Sequence, residues 1–435
     1  MAGIRLFSPY IDYLETLVSG ANHPSFITDN STAIDAALNG QPSSELRRLV
    51  PLSDLRSVGA FFTGSRLSSY AANLLKDTFD DESVILDPAC GAGDLLIACA
   101  AQLGKRKTLP QTLKIWGTKI IGRDIHSEFV QATKSRLLLA ALRMGVITEN
   151  CRSLSIKDIF PRVENKCGLT DYEAIKSATH IIINPPFVLA DAPEYCDWVK
   201  GKVNVAALFL EACLLHANPG TRIVAILPDV LRSGSRYRVW RDLVDSRSQV
   251  HQLHIHGKFD RWADVDVFII SIVTKKQRTP KRKSIWKPER TPGIKVLQDR
   301  FEVHVGPVVD YRDPHSGQWF PFIHSRDLPP WEIICEIKRN RRFPGRTFMP
   351  PFVVVRRTSR PGDRYRAKGT IIKCDKPIAV ENHLLVLLPK DGTIESCQEL
   401  LKILQKQKTT NWLNERIRCR HLTVSSLADM PWWSD

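Results

Sequence analysis

The sequence predicts an α/β fold: a mostly parallel sheet covered by helices on both faces, followed by a smaller α+β unit. Three observations carry this. Between residues 51 and 275, short continuous apolar runs such as Ile181-Ile182-Ile183 and Phe268-Ile269-Ile270 alternate with stretches of helical periodicity. Strands buried on both faces, with their crossover helices, require that alternation. One run, Val84-Ile85-Leu86, passes through a glycine-bearing turn straight into Asp94-Leu95-Leu96-Ile97-Ala98, which reads strand, turn, helix. The third is charge: the 435 residues carry a formal +16, and basic clusters follow residue 270 among short strand-like runs. So long a chain exceeds one ordinary domain. The expected parts are a helical N-terminal segment (1–50), a sheet domain (51–278) and a basic C-terminal domain (279–435).

In chain order, Ile11, Leu14, Leu17 and Val18 recur at helical spacing, so the first segment is expected to pack a helix on the core, followed by a polar loop from Asn22 to Thr32. The polar, basic stretch from Gly104 to Gly117 reads as a surface insertion. Strands are expected at Lys119 to Asp124, Ser155 to Phe160, His180 to Ile183 and Val267 to Val273, the last in a terminal hairpin. Phe209 to Ala217 reads as a helix stopped by Asn218-Pro219-Gly220. Thr279 to Pro292, rich in Lys, Arg and Pro, reads as a linker. Beyond it, Pro351 to Thr358 and Ala379 to Leu388 read as strands, and Cys397 to Gln407 as a helix with Leu400, Leu401 and Leu404 on one face.

The segment with the most chemical content is Asn184-Pro185-Pro186-Phe187, directly after the His180 to Ile183 strand. The prolines end the ladder and stiffen the backbone. An Asn there suits methylation of a planar NH2 group, whose lone pair is delocalised into its ring. The Asn184 side-chain carbonyl and the Pro185 backbone carbonyl can accept from its two N–H groups and free the lone pair, while Phe187 stacks on the ring. Upstream, Asp87-Pro88-Ala89-Cys90-Gly91-Ala92-Gly93 lets the backbone approach a bound nucleoside at Gly91 and Gly93. The third glycine of a dinucleotide fingerprint is missing, which argues for a smaller ligand such as S-adenosylmethionine. Asp87 suits its ammonium group. Asp124, at the end of the next strand, suits a ribose diol, and Asp158 suits an adenine amino group.

In order, these segments resemble the amino-group DNA methyltransferases, N6-adenine specific, of the gamma arrangement. Gly59-Ala60-Phe61-Phe62-Thr63 is similar to that family's segment against the methionine part of the cofactor, although Gly64 stands where relatives usually carry Pro. Asp87 to Leu96 resembles the glycine-rich loop, and Gly220 to Pro228 the next strand of the catalytic half. The closing Leu422 to Leu427 before Pro431 is loosely similar to recognition domains of restriction-modification enzymes. The resemblance implies a Rossmann-like S-adenosylmethionine-dependent methyltransferase sheet with a C-terminal target recognition domain. It places the cofactor against Phe61, Thr63, Asp87, Pro88, Ala89, Cys90, Gly91, Gly93, Asp124, Ile125, Asp158 and Ile159, and the reacting base against Asn184, Pro185, Pro186 and Phe187. It implies adenine extruded from double-stranded DNA, with a separate restriction endonuclease or specificity subunit as a possible partner.

Composition agrees. The positive excess favours a polyanion, and Lys275-Lys276-Gln277-Arg278, Lys281-Arg282-Lys283, Lys338 to Arg342 and Arg356 to Lys368 supply clusters for phosphate contacts and base readout. The ten cysteines include no C-x-x-C pair, so free thiols in a reducing cytoplasm and no metal site are expected. No run is long and apolar enough to span a membrane. Other readings are cytosine N4 in DNA, adenine in rRNA, glutamine in protein (whose enzymes are shorter and lack a basic recognition half), and a non-catalytic DNA-binding subunit that needs a partner.

Overall fold

The computed structural model describes residues 3–20, 26–146, 156–276, 285–286 and 293–433. Two compact units emerge: Met1–Leu231 with Arg236–Ser284, and Arg232–Ser235 with Ile285–Asp435. The expected linker falls almost wholly outside the described residues, as do Lys281-Arg282-Lys283.

The first unit opens with α1 (Ser8–Ser19), α2 (Phe26–Asp29), α3 (Ser31–Leu38), α4 (Gln41–Leu49), α5 (Leu52–Val58) and α6 (Ser65–Asn73). Ile11, Leu14, Leu17 and Val18 form the buried face of α1, as their spacing requires. The expected loop to Thr32 is instead helical from Phe26 in its described part; Ile34 and Ala37 give α3 a buried face.

Next come β1 (Ile85–Asp87), α7 (Asp94–Leu103), α8 (Leu109–Lys119), β2 (Ile120–Asp124), α9 (Ser127–Arg143), α10 (Ile156–Ile159), β3 (Val163–Asn165), α11 (Tyr172–Ser177) and β4 (His180–Ile183). A small hairpin, β5 (Leu189–Asp191) and β6 (Lys202–Asn204), leads to α12 (Val205–His216) and β7 (Arg222–Pro228). Then α13 (Asp229–Ser233) and α14 (Arg238–Arg247) precede a hairpin of β8 (Ser248–Lys258) and β9 (Asp266–Thr274). The seven-stranded sheet runs β3-β2-β1-β4-β7-β9-β8. The strands from β3 to β7 are parallel, and β9 is antiparallel to both β7 and β8. Chain progression reverses between β1 and β4, which opens a crevice at their carboxyl ends.

Two expectations fail here for identifiable reasons. The Gly104–Gly117 stretch is not a surface insertion. It contains most of α8, whose Leu109, Leu113 and Trp116 are buried, with a Thr108–Gln111 capping box and the Trp116 indole N–H donating to the Gly104 carbonyl (2.9 Å). The long interval between the glycine turn and Asp124 is therefore a second helix. The expected strand Ser155 to Phe160 is the short helix α10 over Ile156–Ile159, with Ser155 outside the described residues. The third strand is β3, which pairs with β2 from Gly122↔Val163 to Asp124↔Asn165.

In the second unit, α15 (Leu297–Arg300) leads into β10 (Phe301–Val305), β11 (Gln318–Ile323), β12 (Ile333–Ile334), β13 (Asn340–Phe343), β14 (Phe352–Arg356), β15 (Gly369–Ile372), β16 (Ala379–Val380) and β17 (Leu384–Pro389). They form a five-stranded sheet, β10-β17-β14-β15-β12, and a three-stranded one, β13-β11-β16. The expected strand Ala379 to Leu388 is two strands in different sheets. They are split at buried Glu381, which accepts from the Ser325 N–H (2.7 Å) and lies 2.8 Å from His383 Nδ1. Beyond them, α16 (Ile394–Gln405) buries Leu400, Leu401 and Leu404. Part of the expected polyanion surface is internal: Arg341 is buried and paired with Asp310, and buried Arg366 donates to Ser359 and Asn414. Among the described residues no helix is long and apolar enough to cross a membrane.

Candidate active site

The crevice is lined from six chain segments. After β1, Gly91 and Gly93 turn the backbone with φ of 51° and 86°, values that favour glycine. A Cβ on Gly91 would meet the Phe62 ring at 3.0 Å, and one on Gly93 would meet Thr133 Cγ2 at 2.9 Å. The turn is tied to the next strand: the Cys90 N–H donates to the Arg123 carbonyl (2.8 Å), and the Gly91 N–H to Asp124 Oδ2 (3.0 Å). The other Asp124 oxygen accepts from the His126 N–H (2.9 Å).

Behind the turn lies a buried polar anchor. Arg136 of α9 is fully buried, pairs with Asp94 (2.8 Å) and donates to the carbonyls of Ala37 (2.8 Å) and Ala92. Asp94 in turn accepts from the Gly64 N–H (2.7 Å). The N-terminal helices, the Gly59 segment and the glycine turn therefore share one ion pair.

Two acids remain at the crevice. Asp87 is buried and accepts from the Ala89 N–H (3.0 Å). Burial, then the charges of Asp124 and Asp94, hold its carboxyl well above the usual range. Burial also pushes Asp124 up to about 6, opposed by its backbone N–H donors. A cation arriving here would relieve the repulsion among these acids.

The third segment follows β4. The Asn184 amide donates to Thr63 Oγ1 (3.0 Å) and to the Phe61 carbonyl (3.5 Å), while its Oδ1 is buried with no partner. A buried acceptor left unpaired is costly and marks a place where a donor belongs. The Gly59 segment lies directly on the tetrapeptide: Gly59, at φ 69°, would carry a Cβ 3.0 Å from Pro186 Cβ and 3.1 Å from the Phe187 nitrogen.

These segments enclose a cavity of about 360 Å³, within the size range of small-molecule sites. Of the residues singled out by sequence, Phe61, Pro88, Ala89, Gly91, Asp124, Ile125, Asn184 and Pro186 line it. Ile125 is 61% exposed, an apolar side chain held out at the cavity mouth. A narrow recess shares Phe61, Ala89, Gly91 and Asn184 with this cavity and adds Thr63, Asp87, Cys90 and Asp94. Gly93 shapes the turn behind both. Pro185 is buried, and Phe187 packs edge-on against Phe259 at 5.7 Å rather than lining the cavity.

Asp158 and Ile159 are not brought in. Asp158 is exposed on α10, and Ile159 is buried against α8, where a Cβ on Gly117 would stand 2.6 Å from its carbonyl oxygen. The wall expected of them comes instead from Cys167-Gly168-Leu169, just past β3. Gly168 approaches the glycine turn so closely that a Cβ there would lie 2.0 Å from the Pro88 oxygen. Phe62, His126 and Phe129 complete an aromatic side, with Phe62 and Phe129 edge-to-face at 5.0 Å. These residues were missed. The available signal was Phe62 inside the Gly59–Thr63 segment; Gly168 follows the polar run Glu164-Asn165-Lys166. Phe259, in the turn between β8 and β9, carried none.

A family model described as "N-6 DNA Methylase" matches residues 52–286. Among solved structures, the type IIL restriction-modification enzyme MmeI, in complex with DNA, is similar at 12% identity and a TM-score of 0.54, over 89% of this chain and 70% of that one. The type IIG restriction endonuclease BpuSI is similar at 14% identity and a TM-score of 0.41, over 84% of this chain and 57% of that one. A type I restriction-modification methyltransferase subunit from Streptococcus thermophilus is similar at 12% identity and a TM-score of 0.34, over 56% of this chain and 50% of that one. No curated protein matches the chain.

Proposed function

The chain belongs to the N-6 DNA methylase family, and from that premise we propose that it methylates N6 of adenine in duplex DNA as part of a restriction-modification system. S-adenosylmethionine is its cofactor and supplies a methyl group already activated on a sulfonium. The residues present fit that molecule: a glycine turn closed by Phe62, a carboxylate for the ribose at Asp124, and a buried acid for the ammonium at Asp87. Cys167-Gly168-Leu169 and Ile125 frame the adenine ring in place of Asp158 and Ile159.

The observation that carries the substrate reading is the unpartnered Asn184 Oδ1. Thr63 and the Phe61 carbonyl hold the amide by its nitrogen, so its oxygen is available to a donor in the crevice. An exocyclic amine offers two N–H groups, one for Asn184 Oδ1 and one for the Pro185 carbonyl, and accepting both turns its lone pair outward. Phe187, braced by Phe259, supports the ring from the side. A base inside a duplex cannot reach this crevice, so the adenine is rotated out of the stack. A separate nuclease or specificity subunit completes the system.

The test is incubation of the full chain with labelled S-adenosylmethionine and, separately, unmethylated duplex DNA or structured RNA, with the product identified by mass spectrometry. N6-methyladenine is expected, and Asn184→Ala should abolish it while cofactor binding persists. Label in N4-methylcytosine, or only in structured RNA, would overturn the substrate assignment. Transfer by the Ala variant at the wild-type rate would overturn the role of Asn184.

A further inference from the structure

We propose that Arg47 and Arg261, set against Trp262 in a turn that Arg56 fastens beside the Asn184 tetrapeptide, grip the phosphodiester backbone flanking the extruded base. The inference rests on the reading of the chain as a duplex-DNA methyltransferase, and it locates a backbone contact within the first unit.

The turn between β8 and β9, residues 259–265, holds Trp262 half-buried and Arg261 exposed. The Arg261 guanidinium lies 4.7 Å from the indole centroid, and that of Arg47, on α4, lies 5.6 Å from it. Arg56, on α5, donates through Nη2 (3.0 Å) and Nε (3.3 Å) to the Trp262 carbonyl. Three cations thus converge on one residue from three separate elements. Of the two acids in the turn, Asp264 is exposed, and Asp260 accepts through Oδ1 from the Trp262 N–H (2.6 Å) and the Ala263 N–H while its charge also faces Arg47. Among the described residues, the guanidinium groups of Arg47 and Arg261 have no hydrogen-bonding partner. A guanidinium lying against a ring keeps its edge donors available, and their fork matches phosphate oxygens.

The position gives the cluster a use. Phe259, in the same turn, is edge-on to Phe187, and α5 runs directly into Gly59, which lies on Pro186. Arg261 and Arg56 are therefore built on the two segments that frame Asn184, and Arg47 joins them from α4. Phosphate contacts fix register without reading sequence. A strand held at this rim presents one nucleotide to the crevice whatever bases the second unit selects.

The test is a salt titration of binding to a fluorescent duplex by the full chain, wild type against Arg47→Gln/Arg261→Gln, Arg47→Lys/Arg261→Lys and Arg261→Gln alone. Each lost phosphate contact lowers the slope of log affinity against log salt by about 0.9. The double Gln variant should lose about 1.8, so between about 50 and 200 mM salt its affinity falls about 12-fold less than that of wild type. Arg261→Gln alone should lose about half that slope, and the Lys pair should keep it. S-adenosylmethionine affinity within about twofold of wild type would establish that the variants are folded. A wild-type slope in the Gln variants, with wild type binding DNA, would overturn the grip and leave the methyltransferase reading intact. An equal loss in the Lys pair would overturn it in favour of a loop-holding role. Wild type lacking salt-dependent duplex binding would overturn both.

Discussion

Gly168→Ala offers the sharpest check on how the crevice is built. An added Cβ would sit 2.0 Å from the Pro88 oxygen and 2.7 Å from its carbon, where ordinary contact begins near 3.4 Å. Both partners are backbone, so no side chain can swing aside, and the two segments must part by about 1.4 Å. Overpacking of this kind costs about 3 kcal/mol, the upper part of the usual range. For a unit of this size that is a melting-point loss of roughly 5 °C. Pro88 begins the glycine turn, and Gly168 lies on the cavity wall. The displacement therefore falls on the cofactor site, where a misplacement of about 1 Å costs about a hundredfold in rate. Differential scanning fluorimetry, calorimetric titration with S-adenosylmethionine and single-turnover transfer measure the three effects. Gly362→Ala, whose Cβ would meet nothing within 4 Å, should be silent in all of them. A Gly168→Ala protein with wild-type melting, affinity and rate would refute the close approach of the two segments, and with it the assignment of Cys167-Gly168-Leu169 to the wall.

Three further outcomes follow from the same geometry. Thr63→Val removes the acceptor that holds the Asn184 amide (3.0 Å). The rate constant in single turnover should fall about tenfold, as loss of roughly 1–1.5 kcal/mol implies, with Thr63→Ser close to wild type. Asp124 is raised to about 6, so its ionised, diol-accepting form is lost as pH falls through that value. Calorimetric affinity for S-adenosylmethionine should be about tenfold weaker at pH 5 than at pH 7.5, and the dependence should disappear in Asp124→Asn; a flat wild-type profile would contradict the ribose role. Arg136→Met leaves the Asp94 carboxylate and the Ala37 and Ala92 carbonyls without their shared partner. The cost should be about 3–5 kcal/mol, seen as a lower melting temperature, and unchanged melting would show that the ion pair does not organise the turn.

The parts of this molecule that were legible in its sequence are those whose cause is local. Ile181-Ile182-Ile183 and Phe268-Ile269-Ile270 are apolar on both faces because they are covered on both faces, so composition alone marks them as central strands. Gly91, Gly93 and Asn184 were legible because a turn and a strand end each demand particular chemistry within a few residues. Helix α8 was legible in principle: Leu109, Leu113 and Trp116 keep a helical period, masked by Lys105-Arg106-Lys107 just before them. Asp158 shows a different limit. An acid among scattered apolar residues (Ile156, Ile159, Phe160) looks the same on a strand as on a single helical turn, and only the pairing of Val163–Asn165 with β2 separates them. Charge fails in the same way. Arg341 is taken up by Asp310 and Arg366 by Asn414, partners 31 and 48 residues away. Arg47 and Arg261 come from distant points of the chain to one indole. A basic cluster in sequence therefore counts cations without saying which are available. The arginines that the first unit sets around Trp262 lie outside every cluster after residue 270, because what places them there is packing against a distant loop, not the neighbours they have in the chain.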